Sequence, residues 1–221
     1  QCTLVDRGSD ALDALTRLAE ALDAPAAPEV VTDHADYPLG DGAIDANELG
    51  KVIANRLPKH AIVCDEGATN GLGAFLLTAN AAPHDWLTLT GGAIGQGLPL
   101  AVGAAIACPD QKVIALEADG SGMYTVQALW TMAREQLDIT VMLLNNRSYA
   151  ILNIELSRVG VEQPGPAALS LLDLSNPDLE WTDIARGMGM LAVKVETVAA
   201  LDQAVADAMA QKGPCLIEVM L

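Results

Sequence analysis

The chain has 221 residues, 51% of them hydrophobic, and a formal net charge of −17. Its length suffices for one full α/β core with a short appendage. The charge argues against nucleic acid and anionic membrane surfaces as partners, and no apolar run approaches the roughly 20 residues of a membrane span.

In chain order, apolar positions at Leu12, Leu15, Leu18, Ala19 and Leu22 predict a helix over Ala11–Leu22. A Pro/Ala-rich stretch, Ala24-Pro25-Ala26-Ala27-Pro28, follows. A lone amphipathic helix before a linker reads as the tail of a preceding domain. The organisation is therefore a tail over 1–23, a linker over 24–40 and one domain over 41–221, in a chain expected to be part of a longer protein or one subunit of a split enzyme. Ile44–Leu57 reads as a helix capped by Asp45. Ala61–Cys64 and Trp86–Thr90 read as strands. The first ends in a loop over Glu66–Asn70. The second leads through Gly91-Gly92-Ala93-Ile94-Gly95-Gln96-Gly97 into a small-residue helix, Leu98–Ala107.

Val113–Leu116 and Thr140–Leu144 are short, apolar and partly β-branched, as buried strands are. Tyr124–Gln136 between them has helical apolar spacing, which makes a βαβ unit with parallel strands. Beyond it, Glu155–Asn176 reads as a long loop, either a lid or an ordinary connection. Helices over Trp181–Met188 and Val198–Lys212 and strands over Ala192–Val195 and Cys215–Met220 complete the pattern. The fold class predicted is α/β, a doubly wound, mostly parallel sheet of about six strands with helices on both faces. The cysteines Cys2, Cys64, Cys108 and Cys215 lack metal or redox spacing and read as small core residues in a reducing cytoplasm. His34, His60 and His84 read as structural or solvated.

The strongest chemical signal is the pair of strand ends in the βαβ unit. Asp119-Gly120-Ser121 closes one strand and Asn145-Asn146 the next, with Asp119 and Asn146 27 residues apart. Both project into the crevice beyond the carboxyl edge, where open α/β sheets bind ligands. A carboxylate, an amide oxygen and a backbone carbonyl form a partial set of hard ligands for Mg²⁺, which commonly completes its octahedron with phosphate oxygens and water. The Gly120-Ser121 turn offers N–H groups to an anion. Gly95-x-Gly97 does not complete a dinucleotide fingerprint, because Leu100 stands where the third glycine belongs. Small residues there fit close backbone approach to a flat ligand.

Asp-Gly-Ser and Asn-Asn at this spacing resemble the cofactor signature of thiamine-diphosphate-dependent enzymes. The resemblance is to the pyrophosphate-binding domain of the acetolactate synthase, benzoylformate decarboxylase and pyruvate decarboxylase group, and covers roughly residues 40–221. Ala118 replaces the glycine that usually opens the family pattern. Arg147 replaces the glutamate that strict acetolactate synthases tend to carry.

The resemblance implies thiamine diphosphate and Mg²⁺ as cofactors. Asp119, the Asn146 side-chain oxygen and the Ser148 carbonyl would be metal ligands. Thr69, Gly120 and Ser121 would contact the diphosphate, and Tyr149 would lie beside the cofactor. The Gly92 carbonyl would accept from the aminopyrimidine, and Ile94 would be the wedge beneath the bent cofactor. Glu66, an awkward neighbour for a diphosphate, receives no contact.

The implied function is the cofactor-binding part of a 2-oxo acid decarboxylase or carboligase, acetolactate-synthase-like. The alternatives are a non-catalytic or split-subunit module needing a separate pyrimidine-binding partner, a benzoylformate-decarboxylase-like lyase, and an unrelated doubly wound enzyme. A pyrimidine-binding domain of the same or another subunit would supply the activating glutamate, in a homodimer or homotetramer. The 221-residue chain alone is expected to be inactive, and a flavin (FAD) is possible in a missing middle domain.

Overall fold

A computed structural model describes Val5 and residues 8–26, 34–161 and 163–221. The chain forms two compact units, one within residues 1–31 and one over 32–221. The first unit contains helix α1 (Ala11–Ala21), whose N-cap Asp10 accepts from the Leu12 and Asp13 amides. The predicted linker falls partly on residues outside those described.

The second unit is built from α2 (Ala46–Arg56), β1 (Ile62–Glu66), α3 (Ala68–Thr78), β2 (Asp85–Thr88), α4 (Gly97–Ala107) and β3 (Val113–Ala118). The one-turn α5 (Asp119–Gly122), α6 (Ala128–Arg134), β4 (Ile139–Asn145), α7 (Ala150–Arg158) and α8 (Pro166–Leu172) come next. It ends with α9 (Trp181–Gly187), β5 (Leu191–Val195), α10 (Val198–Ala210) and β6 (Cys215–Met220). The six strands are all parallel, in the order β2-β1-β3-β4-β6-β5.

Successive residues of each strand feed opposite faces. Val63, Ile114, Leu116, Met142 and Ile217 pack with α2 and α10. Cys64, Val113, Ala115, Val141 and Leu216 pack with α4, α6 and α9. All of β4 is buried, which explains its unbroken apolar character. From β1 the chain winds outward to β2, then returns past β1 to β3 and on to β4. The carboxyl ends of β1 and β3 therefore flank the switch point, where a crevice opens.

Three predicted elements are corrected. Glu66–Asn70 is not a loop: β1 runs through Glu66, and α3 begins at Ala68. Glycine within α3 serves close packing, since a Cβ on Gly73 would meet the Ala46 carbonyl at 2.5 Å. The helix predicted over Tyr124–Gln136 is confined to Ala128–Arg134. Glu155–Asn176 is half helical, in the end of α7 and all of α8; Pro166 is the first residue of α8, a position proline suits, rather than a breaker. The Asp45 cap is present, accepting from the Asn47 and Glu48 amides. Cys64 and Cys215 are buried and Cys108 is half-buried, all as free thiols; Cys2 lies outside the described residues.

Candidate functional site

A cleft of about 860 Å³ lies at the carboxyl ends of β1, β3 and β4. It is lined by Thr69, Gly92, Ile94, Asp119, Gly120, Ser121, Asn146, Ser148 and Tyr149, so every sequence-predicted position meets there. Leu171 and Leu172 of α8 and Ile151 and Leu152 of α7 add an apolar wall.

Asp119 follows directly on β3 and is 2% exposed. Its Oδ1 accepts from the Gly120 amide at 3.0 Å, while Oδ2 is buried and has no hydrogen-bond partner among the described residues. Burial pushes the carboxyl up to about 6, held back by the backbone amides of Gly120, Arg147 and Ser148. Buried acceptors are nearly always paired, so an unmatched carboxylate oxygen on a residue that lines a cleft is a place for a cation or a donor.

The adjoining turn is built from side chains that shape backbone. Asn145, the last residue of β4, donates through Nδ2 to Glu218 (2.8 Å) and accepts through Oδ1 from the Arg147 amide (3.0 Å). Asn146 Oδ1 accepts from the Ser148 amide at 3.0 Å, an Asx turn that leaves a second lone pair on that oxygen. Arg147 takes φ +57°, and its guanidinium faces Asp178 at 3.4 Å. The Ser148 hydroxyl and the Tyr149 amide both donate to the Leu172 carbonyl, tying this turn to α8.

The Tyr149 ring lies on Gly120, where a Cβ would fall 2.5 Å from Cε1. The Ser121 hydroxyl points inward and donates to Glu117, so an anion in the cleft would meet Ser121 through its N–H instead. Thr69 sits in the first turn of α3, half-buried. Gly91 and Gly92 both take φ +66°, and the Ile94 amide donates to the Gly92 carbonyl at 3.0 Å, leaving one lone pair of that carbonyl for a ligand. Ile94 is 55% exposed and is not a core residue.

Sequence reasoning missed three buried carboxylates. Glu66, Glu117 and Glu218 lie in one register row, Glu66 opposite Glu117 and Glu117 and Glu218 flanking Leu143. Burial pushes Glu117 up to about 9, opposed by its bond from Ser121 and reinforced by the Glu66 charge. The signal was available: each glutamate shares the strand parity of buried neighbours, Cys64, Ala115 and Leu216.

The fold and cleft define a doubly wound domain with a polar, partly unsatisfied site at its switch point. The chain belongs to the thiamine pyrophosphate enzyme family, matching the family's C-terminal TPP binding domain over residues 65–219. It is 47% identical over 213 residues to the Mycobacterium tuberculosis protein named "Putative acetolactate synthase large subunit IlvX", covering 96% of this chain and 41% of that protein. It is 32% identical to a Pseudomonas aeruginosa benzoylformate decarboxylase, over 80% of this chain and 32% of the other. Among solved structures, the Rhodococcus jostii RHA1 thiamine diphosphate-dependent 4-hydroxybenzoylformate decarboxylase superposes with a TM-score of 0.76 at 25% identity, covering 94% of this chain and 38% of that one. The chain thus spans well under half the length of these relatives.

Proposed function

We propose that this domain binds thiamine diphosphate through Mg²⁺ as the C-terminal part of an acetolactate-synthase-like 2-oxo acid decarboxylase or carboligase. The observation that carries the reading is the Asp119 Oδ2 atom, buried at the cleft without a partner. Asp119, the Asn146 side-chain oxygen and the Ser148 carbonyl would hold the metal, hard oxygen donors of the kind Mg²⁺ prefers. The amides of Gly120 and Ser121, with Thr69, would bind the diphosphate. Tyr149 would flank the cofactor, the Gly92 carbonyl would accept from its amino group, and Ile94 would support it from below.

When bound, the cofactor supplies the electron sink that lets a 2-oxo acid lose carbon dioxide. The residues of this chain bind and orient it, and the metal with its ligands neutralises the diphosphate charge. A pyrimidine-binding domain, from the same or another subunit of a homodimer or homotetramer, completes the site and contributes the activating carboxylate. The enzyme would work in the cytoplasm, as its cysteines without metal or redox spacing suit a reducing compartment. Among the described residues no helix is long and apolar enough to cross a membrane. FAD, if used at all, would lie in a middle domain rather than in this one.

The test is carbon dioxide release from pyruvate and from benzoylformate, with Mg²⁺ and thiamine diphosphate present. The chain alone is expected to bind the cofactor and release none, and a longer protein that adds a pyrimidine-binding domain is expected to turn over. Turnover by the chain alone would overturn the role given to the partner domain. No turnover by the longer protein would overturn the enzyme reading.

A further inference from the structure

Glu66 poses a charge problem that the cofactor reading leaves open. It is the last residue of β1 and lines the cleft, where its carboxylate would repel a diphosphate. Both of its oxygens are committed elsewhere. Oε1 accepts from the Gly95 amide at 2.6 Å and Oε2 from the Gly97 amide at 2.5 Å, 29 and 31 residues further on.

Those amides belong to the segment between β2 and α4 that carries Gly92 and Ile94. Gly91, Gly92 and Gly95 all take positive φ, so local chain preference does little to hold this segment in one shape. Ile94 itself is mostly exposed and adds little packing. The far side of Gly95 is held too: its carbonyl accepts from the Thr125 hydroxyl at 2.9 Å. Glu66 and Thr125 therefore grip the residue next to Ile94 through both its N–H and its C=O.

We propose that Glu66 is a positioning residue: a two-pronged carboxylate clamp that sets the Gly92–Ile94 segment and thereby fixes where the ring end of the bound cofactor sits. The proposal rests on the cofactor reading above. A carboxylate suits the task because two converging N–H donors need two acceptor oxygens, and charge makes both bonds stronger. Glutamine offers one acceptor and sets its NH₂ against the other amide. The two backbone amides satisfy both carboxylate oxygens on the loop side and so account for a polar group buried at this strand end.

The test uses Glu66→Gln in the full chain, with thermal denaturation to establish folding. Two titrations follow in Mg²⁺, one with thiamine diphosphate and one with inorganic pyrophosphate, which lacks the rings. Amide hydrogen exchange at Gly95 and Gly97 is measured alongside, without ligand. The expected result is a loss of thiamine diphosphate affinity of about tenfold or more, the scale seen when a group that orients a ligand contact is removed. Pyrophosphate affinity should not fall by more than about twofold, since the variant removes a repelling charge, and protection at Gly95 or Gly97 should fall. Equal losses for both compounds would mark a general structural defect and overturn the proposal. So would unchanged protection with unchanged thiamine diphosphate affinity. A wild-type chain that binds neither compound would instead refute the cofactor reading, and the positioning role with it, while the exchange data would still report the clamp.

Discussion

The two ends of the cleft are built on opposite plans. The Asp119 turn is largely buried and the Asn146 turn half-buried; side-chain oxygens in both accept from amides one or two residues on, and one Asp119 oxygen is left over. The Gly91–Gly97 loop is glycine-rich, displays an exposed Ile94 and depends on Glu66 from a remote strand. Rigid local geometry suits a small cation, whose ligands must sit at fixed distances. A loop held from behind leaves its outer surface free for a flat ring.

The contrast predicts different costs at the two ends. The largest effect is expected from Asp119→Ala, which should weaken metal-dependent thiamine diphosphate binding by at least about 100-fold. The variant should be no less stable than the wild type without metal, because it removes a buried carboxylate with an unmatched oxygen. Calorimetry and thermal denaturation read the two halves, and a large stability loss would make Asp119 structural. Gly120→Ala comes next. Its Cβ would press on the Tyr149 ring, so the turn or the ring must move, at about 1–3 kcal/mol of stability and with weakened binding. Unchanged denaturation and binding would show that the Asp119 end is looser than described.

Glu117 gives a pH signature. In the fold it is pushed up to about 9, above the ordinary carboxylate value of 4.5, so between those values folding takes up a proton. The stability this confers is complete below about 4.5 and is lost as pH rises through about 9, with a slope approaching about 1.4 kcal/mol per pH unit in between. Glu117→Gln should flatten that part of the profile in urea denaturation measured at several pH values. An unaltered slope would rule out Glu117 as its source. The smallest stability effect is expected at Ile94→Ala, within about 0.5 kcal/mol for so exposed a side chain. Its cost should fall instead on ring binding, seen as weaker thiamine diphosphate binding with pyrophosphate unaffected. A large stability loss would make Ile94 core and erase the contrast.

The same contrast decides what the sequence could reveal. Asp119-Gly120-Ser121 and Asn145-Asn146 are each contiguous, and the apolar runs before them place both at strand ends, so this end of the cleft was legible. The Glu66 clamp joins residues 29 and 31 apart through backbone amides, which leave no mark on side-chain identity. Helix α3 was not read from the sequence; Gly71 and Gly73 within it admit the Asp65 side chain and the Ala46 carbonyl, approaches that appear only in the packed fold. Helix α8 was hidden because Pro164, Gly165 and Pro166 read as a loop, although Pro166 is its first residue. The alternation of strand faces was legible throughout, but a glutamate on the buried phase of β1, β3 and β6 gains meaning only once the register aligns all three.

The most direct measurement is a calorimetric titration of thiamine diphosphate into the chain, first with Mg²⁺ and then with a chelator present. The account predicts saturable binding with the metal and at least about tenfold weaker binding without it. Equal affinity in the two conditions, or no binding in either, would contradict it.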